Sequence, residues 1–104
     1  MSSRAEMLKE FLAQNPNDAF ARYGLAMEYS NAGDTEGALR EFASLLQANP
    51  DYTAGYFMAA QALARAGRND EAKTRLREGI ASAERTGNQH AKSEMAAMLE
   101  ELGG

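Results

Sequence analysis

Phe11-Leu12-Ala13-Gln14-Asn15-Pro16 and Leu45-Leu46-Gln47-Ala48-Asn49-Pro50 are two versions of one phrase: an apolar pair, a short spacer, then Asn-Pro. They lie 34 residues apart and hold the chain's two prolines. A proline drives the residue before it out of the helical region, so each phrase reads as the end of a helix. A fixed separation of this size is the mark of a repeat architecture, in which each unit is too small to hide its own apolar face. Shifting the sequence by 34 residues also puts Ala26 on Ala60, Ala32-Gly33 on Ala66-Gly67, and Ala38 on Ala72. Leu8, Phe42 and Leu76 form one column, Leu12, Leu46 and Ile80 another, and Glu36 meets Asp70. Small residues meet small ones and large apolar meet large apolar, so the chain repeats itself although identity is weak.

The breaks divide the chain into six expected helices, and Ala, Leu, Glu, Arg and Met, all good helix formers, dominate it. Ser3 and Glu6 form a capping box for the first, over about 3–14, with Met7, Leu8, Phe11 and Leu12 as its apolar stripe. The second spans about 18–32 and stops at Gly33, which suits the left-handed end of a helix. Asp34 caps the third, with Ala38, Leu39, Phe42, Leu45 and Leu46 along one side. The fourth runs from about Tyr52 to Ala66. Asn69, Asp70 and Glu71 begin the fifth, where the dipole favours negative charge. Thr86-Gly87-Asn88 is the last turn, and Ala91, Met95, Met98, Leu99 and Leu102 give the sixth helix an apolar face that covers the end of the stack. Asp18, Asp34, Asp51 and Asp70-Glu71 all fall at helix starts and read mainly as caps.

Chemistry is conspicuously thin. With no cysteine there is no disulfide, thiolate metal site or cysteine nucleophile. The one histidine, His90, has no companions of metal-ligand spacing and reads as a surface residue. No phosphate-binding glycine loop, His-Glu-x-x-His or Gly-x-Ser-x-Gly is present. The reading is therefore no enzyme, no metal and no cofactor. The net charge is −4, and residues 1–52 carry it, with four Lys or Arg against eight Asp or Glu. That balance disfavours nucleic acid as a partner. The segment from Met1 to Glu10 lacks the apolar run of a signal peptide, and no stretch reaches the ~20 apolar residues of a membrane span, so a cytoplasmic location is expected.

The repeat resembles the tetratricopeptide repeat, a helix-turn-helix unit with the pattern Trp-x2-Leu-Gly-x2-Tyr, Ala-x3-Phe, Pro. Residues 19–52 read Arg22-x2-Leu25-Ala26-x2-Tyr29, Ala38-x3-Phe42, Pro50, so the Trp is replaced by Arg. Residues 53–86 read Tyr56-x2-Ala59-Ala60-x2-Leu63, Ala72-x3-Leu76, with Glu84 in place of Pro. That loss predicts a fifth helix prolonged towards Gly87. The resemblance, to a small bacterial-type member, implies an all-α, right-handed superhelical stack of antiparallel helix pairs. It makes 1–104 one domain: a half-repeat helix at 1–15, repeats at 19–52 and 53–86, and a closing helix at 88–102.

It also implies a function. In this family the first helix of each pair lines a concave groove in which a protein or peptide partner lies. By position the groove residues are Phe20, Tyr23, Met27, Ser30 and Asn31 from the first repeat, and Ala54, Phe57, Met58, Gln61, Ala64 and Arg65 from the second. Aromatics and methionines suit an adaptable binding surface. The competing reading makes Phe20, Tyr23 and Phe57 core between stacked units; replacing Tyr23 and Phe57 by Ala distinguishes the two, since groove residues weaken binding and core residues unfold the chain. Some family members clamp the C-terminal carboxylates of chaperone tails with Lys, Asn and Arg. This chain has Tyr23, Met27 and Met58 there, so that role is not expected, although Asn31 and Arg65 remain suited to a peptide backbone or a carboxylate. A basic cluster of Arg65, Arg68, Lys73, Arg75 and Arg77 is a second candidate surface, for an acidic partner. Self-association through the stack ends, as a homo-oligomer, is the alternative function, and an RNA-binding helical repeat a weaker third.

Overall fold

The computed structural model describes residues 3–104, which form six helices: α1 Arg4–Gln14, α2 Ala19–Asn31, α3 Thr35–Ala48, α4 Thr53–Arg65, α5 Asn69–Thr86 and α6 Gln89–Glu101. They pack in sequence, α1 on α2, α2 on α3, and so on to α6. The result is a slab of 42 × 29 × 19 Å.

The repeated Asn-Pro phrase repeats its hydrogen bonds too. The backbone N–H and the side-chain amide of Asn15 both donate to the Phe11 carbonyl, and those of Asn49 do the same to Leu45. A proline-led turn follows each, closed by Asp18 N–H to the Asn15 carbonyl at 3.2 Å and by Tyr52 N–H to Asn49 at 3.0 Å. The loops are held from beyond as well. Arg22 donates to the Pro16 carbonyl at 3.1 Å, and Tyr56, 34 residues on, donates to the Pro50 carbonyl at 2.7 Å. Unlike side chains at the family's Trp position thus tie down the same carbonyl. Arg22 also meets Glu41 of α3 at 2.7 Å.

Helix ends follow the sequence in most places. Ser3, Asp18 and Asp34 accept N–H bonds from Glu6, Ala21 and Gly37. Asn88 likewise accepts from Ala91. Asp51 does not cap: Tyr52 and Arg68 occupy the N-cap positions of α4 and α5 without a side-chain capping bond, and Asp51 pairs with Arg85 at 2.7 Å instead. Helices α2 and α4 close on Gly33 and Gly67, at φ 81° and 77°, where a side chain would be strained. Helix α5 does extend to Thr86, 18 residues against 14 for α3.

Small residues set how closely the helices approach. Ala26, Ala38, Ala60 and Ala72 are completely buried, and Phe42, Leu45, Leu76 and Met95 fill the space around them. The two junctions between successive units exchange large for small. A Cβ on Gly55 of α4 would lie 3.1 Å from Leu45 of α3, whereas Leu45's column mate is Gly79 of α5, and it receives Met95 of α6. Volume is conserved across the junction although its owner changes. Thr53 and Ser82 share a buried hydrogen bond of 2.9 Å between α4 and α5.

A Cβ added to Gly79 would run into Met95 Sδ and come within 2.7 Å of Tyr56 Cβ, but at Gly24 it would meet Leu8 at an ordinary 3.4 Å. Gly79→Ala is therefore expected to lose about 1–3 kcal/mol despite the better helix former, and Gly24→Ala to gain up to about 1 kcal/mol. Urea unfolding of the two variants measures both.

Candidate partner-binding face

Which side of the slab is hollow follows from which helices approach each other. Backbones of α2 and α4, and of α4 and α6, come within 8 Å, whereas α1, α3 and α5 do not approach one another among the described residues. The first helices of successive pairs are drawn together and the second helices splay. The slab therefore bends towards α2, α4 and α6. On the outer side Arg68 reaches across the gap from the start of α5 to Glu36 of α3, 2.6 Å away.

The candidate residues do not behave alike on this face. Phe20 projects into solvent, 72% exposed. Tyr23 is half-buried, 6.4 Å edge-on to Phe42 and 5.4 Å from Tyr52, ring centre to ring centre. Met27 and Met58 pack, half-buried, on the same cluster of Ala26, Ala38, Phe42, Leu45 and Ala59. Phe57 packs on the next cluster, around Tyr56, Ala60, Leu76 and Met95. Adjacent helical residues diverge by about 100°, so Phe57 and Met58 serve different units rather than one groove wall. Ala54, Asn31 and Arg65 are exposed, and Gln61 and Ser30 are half-buried. Arg65 donates to the Ser30 hydroxyl. Both line an open cleft of about 420 Å³ with Asn31, Thr35 and Ala62. Tyr23 and Phe57 thus support the fold, and their removal cannot leave it untouched.

Electrostatics here are quiet. Burial raises the Tyr23 phenol pKa, and Tyr52 is raised by burial and then by the neighbouring Tyr23 and Asp18. Both phenols stay neutral, and no activated base results. The basic cluster is partly engaged within the chain. Arg68 meets Glu36 and Glu71, Arg75 meets Glu78, Arg77 donates to the Gly104 carbonyl, and Arg65 is engaged with Ser30. Of the cluster, only Arg68 and Arg75 thus meet side-chain carboxylates within the chain. His90 is exposed beside Glu94, and the described residues contain no group of three or more potential ligands that could hold a metal.

One member of the first-helix series is hard to see in the sequence. Helices α2, α4 and α6 are each 13 residues long, with N-caps at Asp18, Tyr52 and Asn88. Their closing glycines are Gly33, Gly67 and Gly103, all at positive φ. The last interval is 36 rather than 34, because α5 is longer and the turn after it shorter. The closing glycines are the signal that reveals it.

Helix pairs stacked with their first helices inward define a helical-repeat protein. The tetratricopeptide repeat model matches residues 29–102, and a second model of that repeat matches residues 1–56. A TPR repeat-containing protein of Pseudomonas aeruginosa is 32% identical over 97 residues, covering 93% of this chain and 92% of that one. The crystal structure of a Salinibacter ruber tetratricopeptide repeat domain protein is 31% identical with TM-score 0.76, covering 84% and 97%. The solution structure of a Bordetella parapertussis protein, at 24% identity, shares the fold with TM-score 0.85 over 99% and 90%. The chain belongs to the tetratricopeptide repeat family. Such repeats are generally protein–protein interaction modules and generally non-catalytic. Among the described residues no helix is long and apolar enough to cross a membrane.

Tyr23→Ala is expected to cost about 2 kcal/mol of stability, through lost ring contacts and a partial cavity. Phe20→Ala, with most of its ring in water, is expected to change stability by less than about 0.5 kcal/mol. Thermal melts of the pair separate supporting from projecting aromatics.

Proposed function

We propose that the chain is a protein-binding module that takes a peptide or protein segment on the face formed by α2 and α4 and continued by α6. The observation that carries this reading is Phe20. On α2, one of the helices towards which the slab bends, a large apolar ring is held 72% in solvent. The same two helices, α2 and α4, carry Met27, Ala54 and Gln61, with Ser30, Asn31 and Arg65 towards their C-terminal ends. Tyr23, Phe57 and Met58 form the floor: their buried edges hold the repeats together, and their open edges meet the ligand.

The chemistry of the face sets the ligand's character. Affinity comes from apolar side chains placed over Phe20 and Met27, and polar residues at the rim fix register. The cleft beside Arg65 lies where α2 and α4 both end, and helix C-termini carry negative partial charge. Arg65 there offsets two dipoles and bonds Ser30, so a ligand carboxylate is not its main partner. No catalytic role and no cofactor belong to this reading.

Selection of peptides from a displayed library on the purified chain, followed by fluorescence polarisation, tests it. Phe20→Ala is expected to weaken a selected peptide by about tenfold or more, roughly 1.4 kcal/mol, with the melting profile unchanged. Selected peptides that bind Phe20→Ala as tightly as the natural chain overturn the assignment of this face.

A further inference from the structure

The two ends of the stack are complementary halves of one helix pair. In each full pair the first helix buries a small residue beneath the second: Ala26 under α3 and Ala60 under α5, both fully buried. Aligning the N-caps Asp18, Tyr52 and Asn88 makes Ala96 of α6 the third member of that column, and Ala96 is exposed. With Leu99, Glu100, Gly103 and Gly104 it lines an open cleft of about 390 Å³. That cleft lies where a second helix sits in the other two pairs.

The other end shows the reverse. Aligned through Asn15 and Asn49, Met7, Leu8 and Phe11 of α1 correspond to Glu41, Phe42 and Leu45 of α3. That face of α3 meets α2: Glu41 pairs with Arg22, and Phe42 and Leu45 are completely buried with Ala26. On α1 Leu8 lies at the edge of this face, packed against α2 beside Gly24, whereas Met7 and Phe11 are 54% and 46% exposed. Helix α1 has the mating face of a second helix, and α6 that of a first.

We propose that these faces pair between copies of the chain, α1 of one molecule docking antiparallel on α6 of the next and completing a helix pair across the boundary. Charge supports this orientation. Antiparallel docking brings Arg4, the first residue of α1, to the C-terminal turn of α6, where Glu100 and Glu101 lie and the helix dipole favours a cation. Arg4 occupies the column of Ala38, but at the helix tip, where its side chain is free to swing out of the contact. Arg4 itself is 61% exposed in its long, 3.6 Å pairing with half-buried Glu28, a contact of the kind that contributes little to stability. Each molecule offers one face of each kind, so the contact is heterologous and propagates head to tail. One helix against one buries less than the roughly 1,200 Å² of a tight interface, so the association is weak.

The test is sedimentation of the full chain from about 10 µM to about 1 mM, the range in which so small an interface assembles. The weight-average mass is expected to rise at least twofold across it. Phe11→Glu spoils one face and Ala96→Arg the other, so each variant alone stays monomeric. An equimolar mixture recovers a one-to-one dimer that grows no further, because each variant keeps the face the other lacks. Met7→Glu substitutes for Phe11→Glu should circular dichroism show that variant unfolded, and Ala96→Glu for Ala96→Arg. A natural chain that stays monomeric to the top of the range overturns the proposal. So does a variant that still dimerises alone, which indicates a symmetric contact through one end.

Discussion

Close approach of paired helices at four alanines is the constraint on which everything else rests. Ala26 and Ala38 in one pair, and Ala60 and Ala72 in the next, have no exposed surface. Only a methyl group there lets two backbones come near enough for Phe42 and Leu76 to be sealed from water. Burying a large side chain of this kind contributes about 1.5–3 kcal/mol, so a unit that cannot close also cannot hold. A single pair still leaves one flank open. The flank is covered by the following helix, and the interface is balanced in volume, Leu45 over Gly55 at one junction and Met95 over Gly79 at the other. Stability is thus shared between neighbours rather than owned by a unit.

The same packing produces the face proposed above to take a partner. First helices are drawn to one side, with Tyr23 against Tyr52 and Arg65 against Ser30, and second helices diverge until Arg68 must span the gap to Glu36. Curvature follows from that difference. The residues that create the curve also floor the hollow, which is why Tyr23, Met27 and Phe57 are neither core nor free surface. Phe20 differs from these three in exposing most of its ring to water.

Residues whose roles are local were legible in the sequence. The Asn-Pro phrase announced two helix ends, Asp18 and Asp34 announced two starts, and Glu84 in place of proline announced the longer α5. Roles that depend on a neighbouring unit were not. A helix that is apolar on both flanks gives no indication of which flank meets the next repeat, so Phe57 and Met58 read as one surface although they serve two clusters. Arg22 and Tyr56 share no chemistry in a column comparison, yet both donate to a proline carbonyl. Asp51 looked like a cap because of its place in the chain, and its partner Arg85 is a full repeat away. A strict interval of 34 hid the kinship of α6 with α2 and α4, which the closing glycines keep.

Enlarging one alanine column at two depths tests the central claim most directly. Ala60 and Ala96 stand at equivalent places on α4 and α6, the first sealed beneath α5 and the second open. Urea unfolding of the chain at dilute concentration should show Ala60→Leu losing about 2 kcal/mol or more, and Ala96→Leu unchanged within about 0.5 kcal/mol. Equal midpoints for Ala60→Leu and the natural chain would contradict the account, because the paired helices would then not depend on close approach.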